Sequence, residues 1–109
     1  MTLQEIVNTM KTSSVKDLAL VSKAYSFAEE AHKNHRRYSG EPYFTHLYET
    51  AKLIAELGAD ASAVAAGFLH DVIEDVDVEP ETIRKEFGND VLMLVEGVTK
   101  LGRLRYSGA

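Results

Sequence analysis

The chain has 109 residues, 45% of them hydrophobic and 27% charged, which gives one ordinary globular domain with a modest core and excludes a disordered segment. Its formal net charge is −5 and it has no cysteine, so a broadly basic nucleic-acid surface, a disulfide framework and thiolate metal sites are excluded. No basic segment leads into a long apolar run, so neither a signal peptide nor a membrane span is expected, and the cytoplasm is the expected compartment. The basic residues are clustered all the same. Lys33, Arg36 and Arg37 lie beside His32 and His35, and Lys100, Arg103 and Arg105 form a second group. Two local positive patches on an acidic chain suit a small polyanion better than a duplex. They also read as two solvated helix ends favoured by the helix dipole.

The apolar period is helical nearly throughout. A short leading helix falls within residues 1–13, where Leu3, Ile6, Val7 and Met10 share a face and Thr2 with Glu5 makes a capping box. A second helix starts after Ser14, carries the stripe Leu18, Val21, Tyr25, Ala28 and His32, and fades near Asn34. Tyr38-Ser39-Gly40-Glu41-Pro42-Tyr43 reads as a turn-forming loop. The third helix runs from about Phe44 or Thr45 to Leu57, with Gly58 as its stop. Asp60 caps the fourth, which buries Ala61, Val64, Ala65, Phe68, Leu69 and Val72 as one continuous helix. A short fifth begins at Pro80, with Val78 and Ile83 stapling its entry, and stops at Gly88. The last starts at Asn89-Asp90 and carries Val91, Leu94, Val95 and Val98, leaving 103–109 as a tail. No segment alternates with period two. The expected fold is an all-α bundle of about five to six helices in a single domain over 1–109, incomplete at its C-terminus.

Chemistry concentrates on the fourth helix. Ala63, Ala66, Gly67 and His70 form a second face of very small residues, which lets a neighbouring helix come close. The preceding helix begins near His46, so His70 is expected to point towards it. Asp71 lies about 100° further round and can add an oxygen from the edge of the same cleft. Two imidazoles and a carboxylate suit Mn²⁺, Fe²⁺ or Zn²⁺, a cation that activates water and polarises a phosphoryl oxygen. Glu74 and Asp75, one turn on, are candidates for a general acid or for orienting the water. A core histidine beside a solvated acidic loop accounts better for the His70-Asp71 pair taken alone, and the metal site accounts better once His46, Glu74 and Asp75 are included. By themselves, His32 reads as a buried or capping histidine, His35 as surface, Tyr43 as packing and Lys100 as cover for the end of the last helix.

The neighbouring residues narrow these alternatives. His32, the run Arg37-Tyr38-Ser39-Gly40-Glu41-Pro42-Tyr43-Phe44-Thr45-His46, the run Gly67-Phe68-Leu69-His70-Asp71-Val72-Ile73-Glu74-Asp75, then Phe87-Gly88 and Gly97-Val98-Thr99-Lys100-Leu101 occur in that order. This set closely resembles the N-terminal hydrolase domain of the RelA/SpoT family, the (p)ppGpp hydrolases of the HD superfamily. The likeness runs from about Ser14 to Leu104 and includes the 24-residue step from His46 to His70. It implies that His46, His70 and Asp71 are metal ligands, with Mn²⁺ the usual ion, and that Glu74 and Asp75 take part in attack on the 3′-pyrophosphate. It implies further that Arg37 packs against guanine, while Tyr38, Ser39, Tyr43 and Lys100 belong to the substrate-binding set. The implied reaction converts ppGpp or pppGpp to GDP or GTP and pyrophosphate.

The family's fourth metal ligand, an Asp on a later helix, has no counterpart in this sequence. Tyr38 stands where a Lys is frequent, Leu47 where a Pro is common, and Val76 where a Thr follows the acidic pair. An HD phosphohydrolase acting on another nucleotide keeps the metal residues without the guanine contact. A non-catalytic nucleotide-binding or assembly module keeps the fold without turnover. The expectation of a bundle incomplete at its end leaves an apolar face uncovered, which a homo-oligomer would cover with a neighbour's helix.

Overall fold

The computed structural model describes the backbone of residues 2–12 and 14–108, and their side chains apart from Glu74 and residues 99–108. The elements are α1 (Leu3–Met10), α2 (Val15–Ala31), α3 (Tyr43–Glu56), α4 (Ala61–Leu69), α5 (Val72–Asp75), α6 (Pro80–Phe87) and α7 (Asn89–Gly108). Among the described residues no strand forms, and the only extended pairing is an isolated bridge between Arg36 and Pro42. The all-α expectation holds. No helix among the described residues is long and apolar enough to cross a membrane.

Side-chain caps start the helices where the sequence places them. Thr2 Oγ1 accepts from the Glu5 N–H at 3.2 Å, Ser14 Oγ from Asp17 at 3.3 Å, and Asp60 Oδ1 from Ala63 at 3.0 Å. Each cap satisfies a donor that the first helical turn leaves unpaired, a gain of about 1 kcal/mol apiece. Pro80 occupies the start of α6, with Ile83 buried and Val78 packed against the core as the staple requires.

One expectation fails at the centre. Rather than a single helix from Ala61 through Val72, α4 ends at Leu69, His70 and Asp71 form a turn, and α5 adds one further turn. His70 supplies the reason, since its Nδ1 lies 2.8 Å from the Gly67 carbonyl. The imidazole thereby pairs with one of the acceptors that a helix leaves free at its C-terminal end. The break redirects the chain just after the histidine, and Asp71 is turned with it.

α4 is the axis of the bundle. Val64 to Leu69 are all buried, and the helix packs against α2, α3 and α7. A helix apolar on every side is stable only when enclosed in this way. Phe68 anchors an aromatic cluster, stacked on Phe44 at 6.0 Å and edge-on to Tyr25 at 5.5 Å and Tyr48 at 6.5 Å. Tyr48 also ties α1 down, accepting from the Thr2 N–H at 3.1 Å and donating to the Thr2 carbonyl at 2.8 Å. In α7, Val91 and Val95 are buried while Leu94 and Val98 are exposed. The core thus packs Val91 and Val95 of that stripe and leaves Leu94 and Val98 outside.

Gly67 is where α4 meets α3 most closely. A Cβ there would stand 2.8 Å from Ile54 Cδ1 and 3.1 Å from the Ala51 Cα. Gly97, in the interior of α7, has nothing within 4 Å of the same added atom. Alanine raises helix propensity by about 1 kcal/mol over glycine at either position. Gly97→Ala should therefore raise the urea midpoint, while Gly67→Ala should lower stability by about 1–3 kcal/mol as the helices are forced apart. Equal effects of the two substitutions would refute the close-approach explanation.

Candidate metal and nucleotide site

Because Gly67 admits α3, the first turn of that helix faces the end of α4. The His46 and His70 rings stand 5.7 Å apart, nearly edge to face. Asp71, carried into the gap by the turn, places Oδ2 at 3.1 Å from His70 Nε2 and 3.9 Å from His46 Nε2. One ligand atom from each of the three falls within 4.8 Å of the others, as donors around a single cation do. Two imidazole nitrogens and a carboxylate oxygen form a donor set suited to a borderline divalent ion, and three protein ligands leave positions open for water or substrate. The His70 Nδ1 contact with the Gly67 carbonyl fixes a proton on that nitrogen and aims Nε2 at the gap.

The electrostatics are those of a site built to hold positive charge. Burial pulls the His70 pKa down, but the Asp71 hydrogen bond, the Gly67 carbonyl and the Asp71 charge outweigh it, and the net shift is upward. Burial likewise pushes Asp71 up, and is outweighed by the His70 hydrogen bond and charge and by the Tyr43 hydroxyl, so its carboxyl stays low. His46 is lowered by burial first, then by the His70 and Arg37 charges. A neutral His46 is a ligand-ready His46.

Tyr43 opens α3 and lies over the same cluster. Its hydroxyl is 2.7 Å from Asp71 Oδ2 and 3.0 Å from Asp75 Oδ2. Burial, followed by these two carboxylates, raises its pKa above the ordinary phenol value. Asp75 is exposed at the end of α5. Among the sequence-predicted residues, Glu74 and Lys100 have side chains outside the described set.

The loop between α2 and α3 builds the adjoining wall. Gly40 N–H donates to the Arg37 carbonyl at 2.8 Å and Arg37 N–H to the Glu41 carbonyl at 2.9 Å, a tight turn in which Gly40 takes φ +89°. Arg36 braces it by donating to the Gly40 carbonyl at 3.0 Å. An open cleft of about 950 Å³ results, lined by Arg37, Tyr38, Ser39, Tyr43 and His46 among others. Tyr38 is fully exposed there, and Ser39 Oγ accepts from the Glu41 N–H at 3.4 Å. The predicted loop residues line this cleft together with His46, through which it reaches the candidate metal cluster, while His70 and Asp71 stand behind it. A second cleft, lined by Lys16, Lys23, Phe87 and Asp90 among others, contains none of the predicted site residues.

His32 has a larger part than a stripe position suggests. It is both buried and the C-cap of α2, as either of its sequence readings allows. Its ring stacks on Tyr43 at 5.0 Å and 15°, and its Nδ1 lies 3.3 Å from His35 Nδ1. His35, read as surface, is half-buried for that reason. The available signal was the second histidine one turn on, in a segment that the loop folds back onto Tyr43.

The family profile of the HD domain matches residues 24–108. A probable guanosine-3′,5′-bis(diphosphate) 3′-pyrophosphohydrolase of Synechocystis sp. is 48% identical over 88 residues, 81% of this chain and 12% of the relative. A guanosine-3′,5′-bis(diphosphate) 3′-pyrophosphohydrolase of Aquifex aeolicus is 45% identical over 86 residues, 79% of this chain and 12% of the relative. A GTP pyrophosphokinase of Streptomyces coelicolor is 39% identical over 100 residues, 92% of this chain and again 12% of the relative. The chain thus spans about an eighth of the length of the curated relatives it matches.

Burial, then the neighbouring His35, lowers the pKa of His32, so the folded state holds this ring neutral. The unfolded chain takes up a proton there below the ordinary imidazole value of about 6.5, and the folded chain does so only at lower pH. The His32 contribution to stability is therefore full above that value and lost as pH falls towards the folded pKa. His46 acts in the same direction and His70 in the opposite one, so a comparison of variants isolates His32. Urea midpoints measured from pH 8 to pH 5.5 should fall less steeply for His32→Phe than for the parent. Parallel curves would remove His32 as an acid-sensitive group.

Proposed function

This chain belongs to the HD-domain family, in its RelA/SpoT branch, and on that premise we propose that it carries the metal-dependent 3′-pyrophosphohydrolase site for ppGpp and pppGpp. The observation that supports this reading best is the convergence of His46, His70 and Asp71 beside the Arg37–Tyr43 cleft. These three residues would hold the cation, with Mn²⁺ the proposed ion and Fe²⁺ or Zn²⁺ the alternatives. When bound, such an ion lowers the pKa of water and polarises a phosphoryl oxygen.

The remaining roles belong to side chains. Arg37 presents a planar guanidinium suited to stacking on guanine, while Tyr38 and Ser39 line the nucleotide's path. Lys100 is assigned to the same substrate-binding set by the resemblance. Glu74 and Asp75 are proposed to orient water and carry protons. Water attacks the phosphorus attached to O3′, the P–O3′ bond breaks, and O3′ takes up a proton as pyrophosphate leaves. The products are GDP or GTP. A cysteine-free chain acting on a nucleotide suits the cytoplasm.

Pyrophosphate release from ppGpp, followed with and without Mn²⁺, tests the assignment. Release should require the ion and fall at least about 100-fold in His70→Ala, which removes a ligand. Arg37→Ala should act mainly through KM, raising it about tenfold, because stacking on the base is equal in ground and transition states. Turnover of other nucleotides but not ppGpp would make this an HD phosphohydrolase of different specificity. Nucleotide binding without turnover of any substrate would make it a non-catalytic module.

A further inference from the structure

We propose that Tyr43, seated on His32, is a positioning residue that holds Asp71 in its ligand geometry and couples it to Asp75, and that its hydroxyl is not a substrate contact. This rests on the metal reading above and extends it to two residues on the α2–α3 connection. Asp71 lies in a turn rather than in a helix, so regular backbone hydrogen bonding alone does not set its carboxylate. Among the described residues three groups surround Oδ2: His70 Nε2 at 3.1 Å, His46 Nε2 at 3.9 Å and the Tyr43 hydroxyl at 2.7 Å. Two of them are the partner ligands. A bound cation would take the space between those imidazoles and the carboxylate, leaving the phenol as the protein's own grip on Asp71. Hydrogen-bond partners that orient a ligand in this way typically govern metal affinity.

The phenol also has little left to offer a substrate. It carries one proton and already faces two carboxylate oxygens, with Asp75 Oδ2 at 3.0 Å. A phosphate oxygen would need that same proton. The hydroxyl instead ties the turn carrying Asp71 to the end of α5, so the ligand and the acidic partner move together.

Tyr43 is itself fixed twice to one short segment. Its N–H donates to the His35 carbonyl at 2.9 Å, and its ring lies on His32 at 5.0 Å and 15°. His32 is 1% exposed, and its Nε2 is buried with no hydrogen-bond partner among the described residues. Its Nδ1 faces His35 Nδ1 at 3.3 Å. An unpaired buried lone pair is tolerated better than an unpaired buried N–H, so the proton of His32 belongs on Nδ1 and is donated to His35. The ring is thus a flat, neutral seat locked at one edge by His35 and at one face by Tyr43.

Calorimetric titration of Mn²⁺ into the full chain distinguishes these roles without relying on turnover. Tyr43→Phe keeps the ring on its seat and removes only the hydroxyl. Its Mn²⁺ affinity should fall roughly 10–100-fold, with helical content by circular dichroism unchanged. His32→Ala removes the seat and should weaken Mn²⁺ binding as well, whereas His32→Phe restores a stacked ring and should recover most of the affinity. Should Tyr43→Phe unfold, the His32 pair carries the test. Equal affinity in the parent and Tyr43→Phe would overturn the positioning role and leave the metal triad standing. No difference between His32→Ala and His32→Phe would overturn the seat. A parent that binds no Mn²⁺ would overturn this inference together with the metal reading.

Discussion

At Gly67 the backbone of α4 runs so close to Ala51 of α3 that a methyl group would not fit without displacement. The site's geometry descends from that contact. Helices that pack through larger residues stand 8–10 Å apart, and histidines from facing turns then need long side chains or water to share one ion. Here the small-residue face brings His46 and His70 to a ring separation of 5.7 Å. The same face costs the core little, because Val64, Phe68 and Leu69 are all buried, with Phe68 packed on Tyr25 of α2 and on Phe44 and Tyr48 of α3.

The interruption of α4 is the second requirement. In an uninterrupted helix, successive residues diverge by about 100° round the axis, which would separate His70 from Asp71. The imidazole contact with the Gly67 carbonyl accompanies the end of the helix at that point, and Asp71 Oδ2 comes within 3.1 Å of His70 Nε2. The residue that offers a ligand nitrogen therefore also helps to place the neighbouring oxygen. The opposed shifts of His70 and Asp71 follow from this proximity. Burial alone would disfavour the charged form of both groups, and their mutual contact outweighs it, raising His70 and lowering Asp71.

Most of the bundle was legible from residues that act locally. Thr2, Ser14 and Asp60 announced helix starts because a cap is a short-range hydrogen bond, and all three make it. The Ala63-Ala66-Gly67-His70 face announced the close helix pair because small residues at helical spacing have few other uses. What could not be read was long-range. The break at His70 depends on a side chain competing for a helix acceptor, which periodicity does not register, since Val72 stays buried with or without it. The exposure of Leu94 and Val98 depends on which neighbours reach that side of α7, which the period of α7 itself does not register. Tyr43 could be placed in the loop by its neighbours, but its hydroxyl finds Asp71 28 residues away, and no local pattern points there.

The residues proposed for recognition and those proposed for metal binding sit on structurally separate supports. The Arg37–Gly40 turn is held by its own main chain and by Arg36, with its side chains left free to face the cleft. The candidate metal residues sit on helix ends whose spacing is set by packing. A loop can change its side chains without moving a helix, whereas a shift of α3 against α4 would move a ligand directly. Tyr43 joins the two parts: it ends the loop, opens α3, stacks on the α2 cap and reaches the carboxylates. The Arg37 charge adds a second link, since it helps to keep His46 neutral. In an acidic chain, a polyanion is drawn to the few places where positive charge gathers, and this cleft brings a guanidinium loop up against the candidate cation site. The charge that would draw a polyanion to this cleft is therefore also one of the charges that lower the His46 pKa, which makes Arg37 a link between the loop and the imidazole of α3.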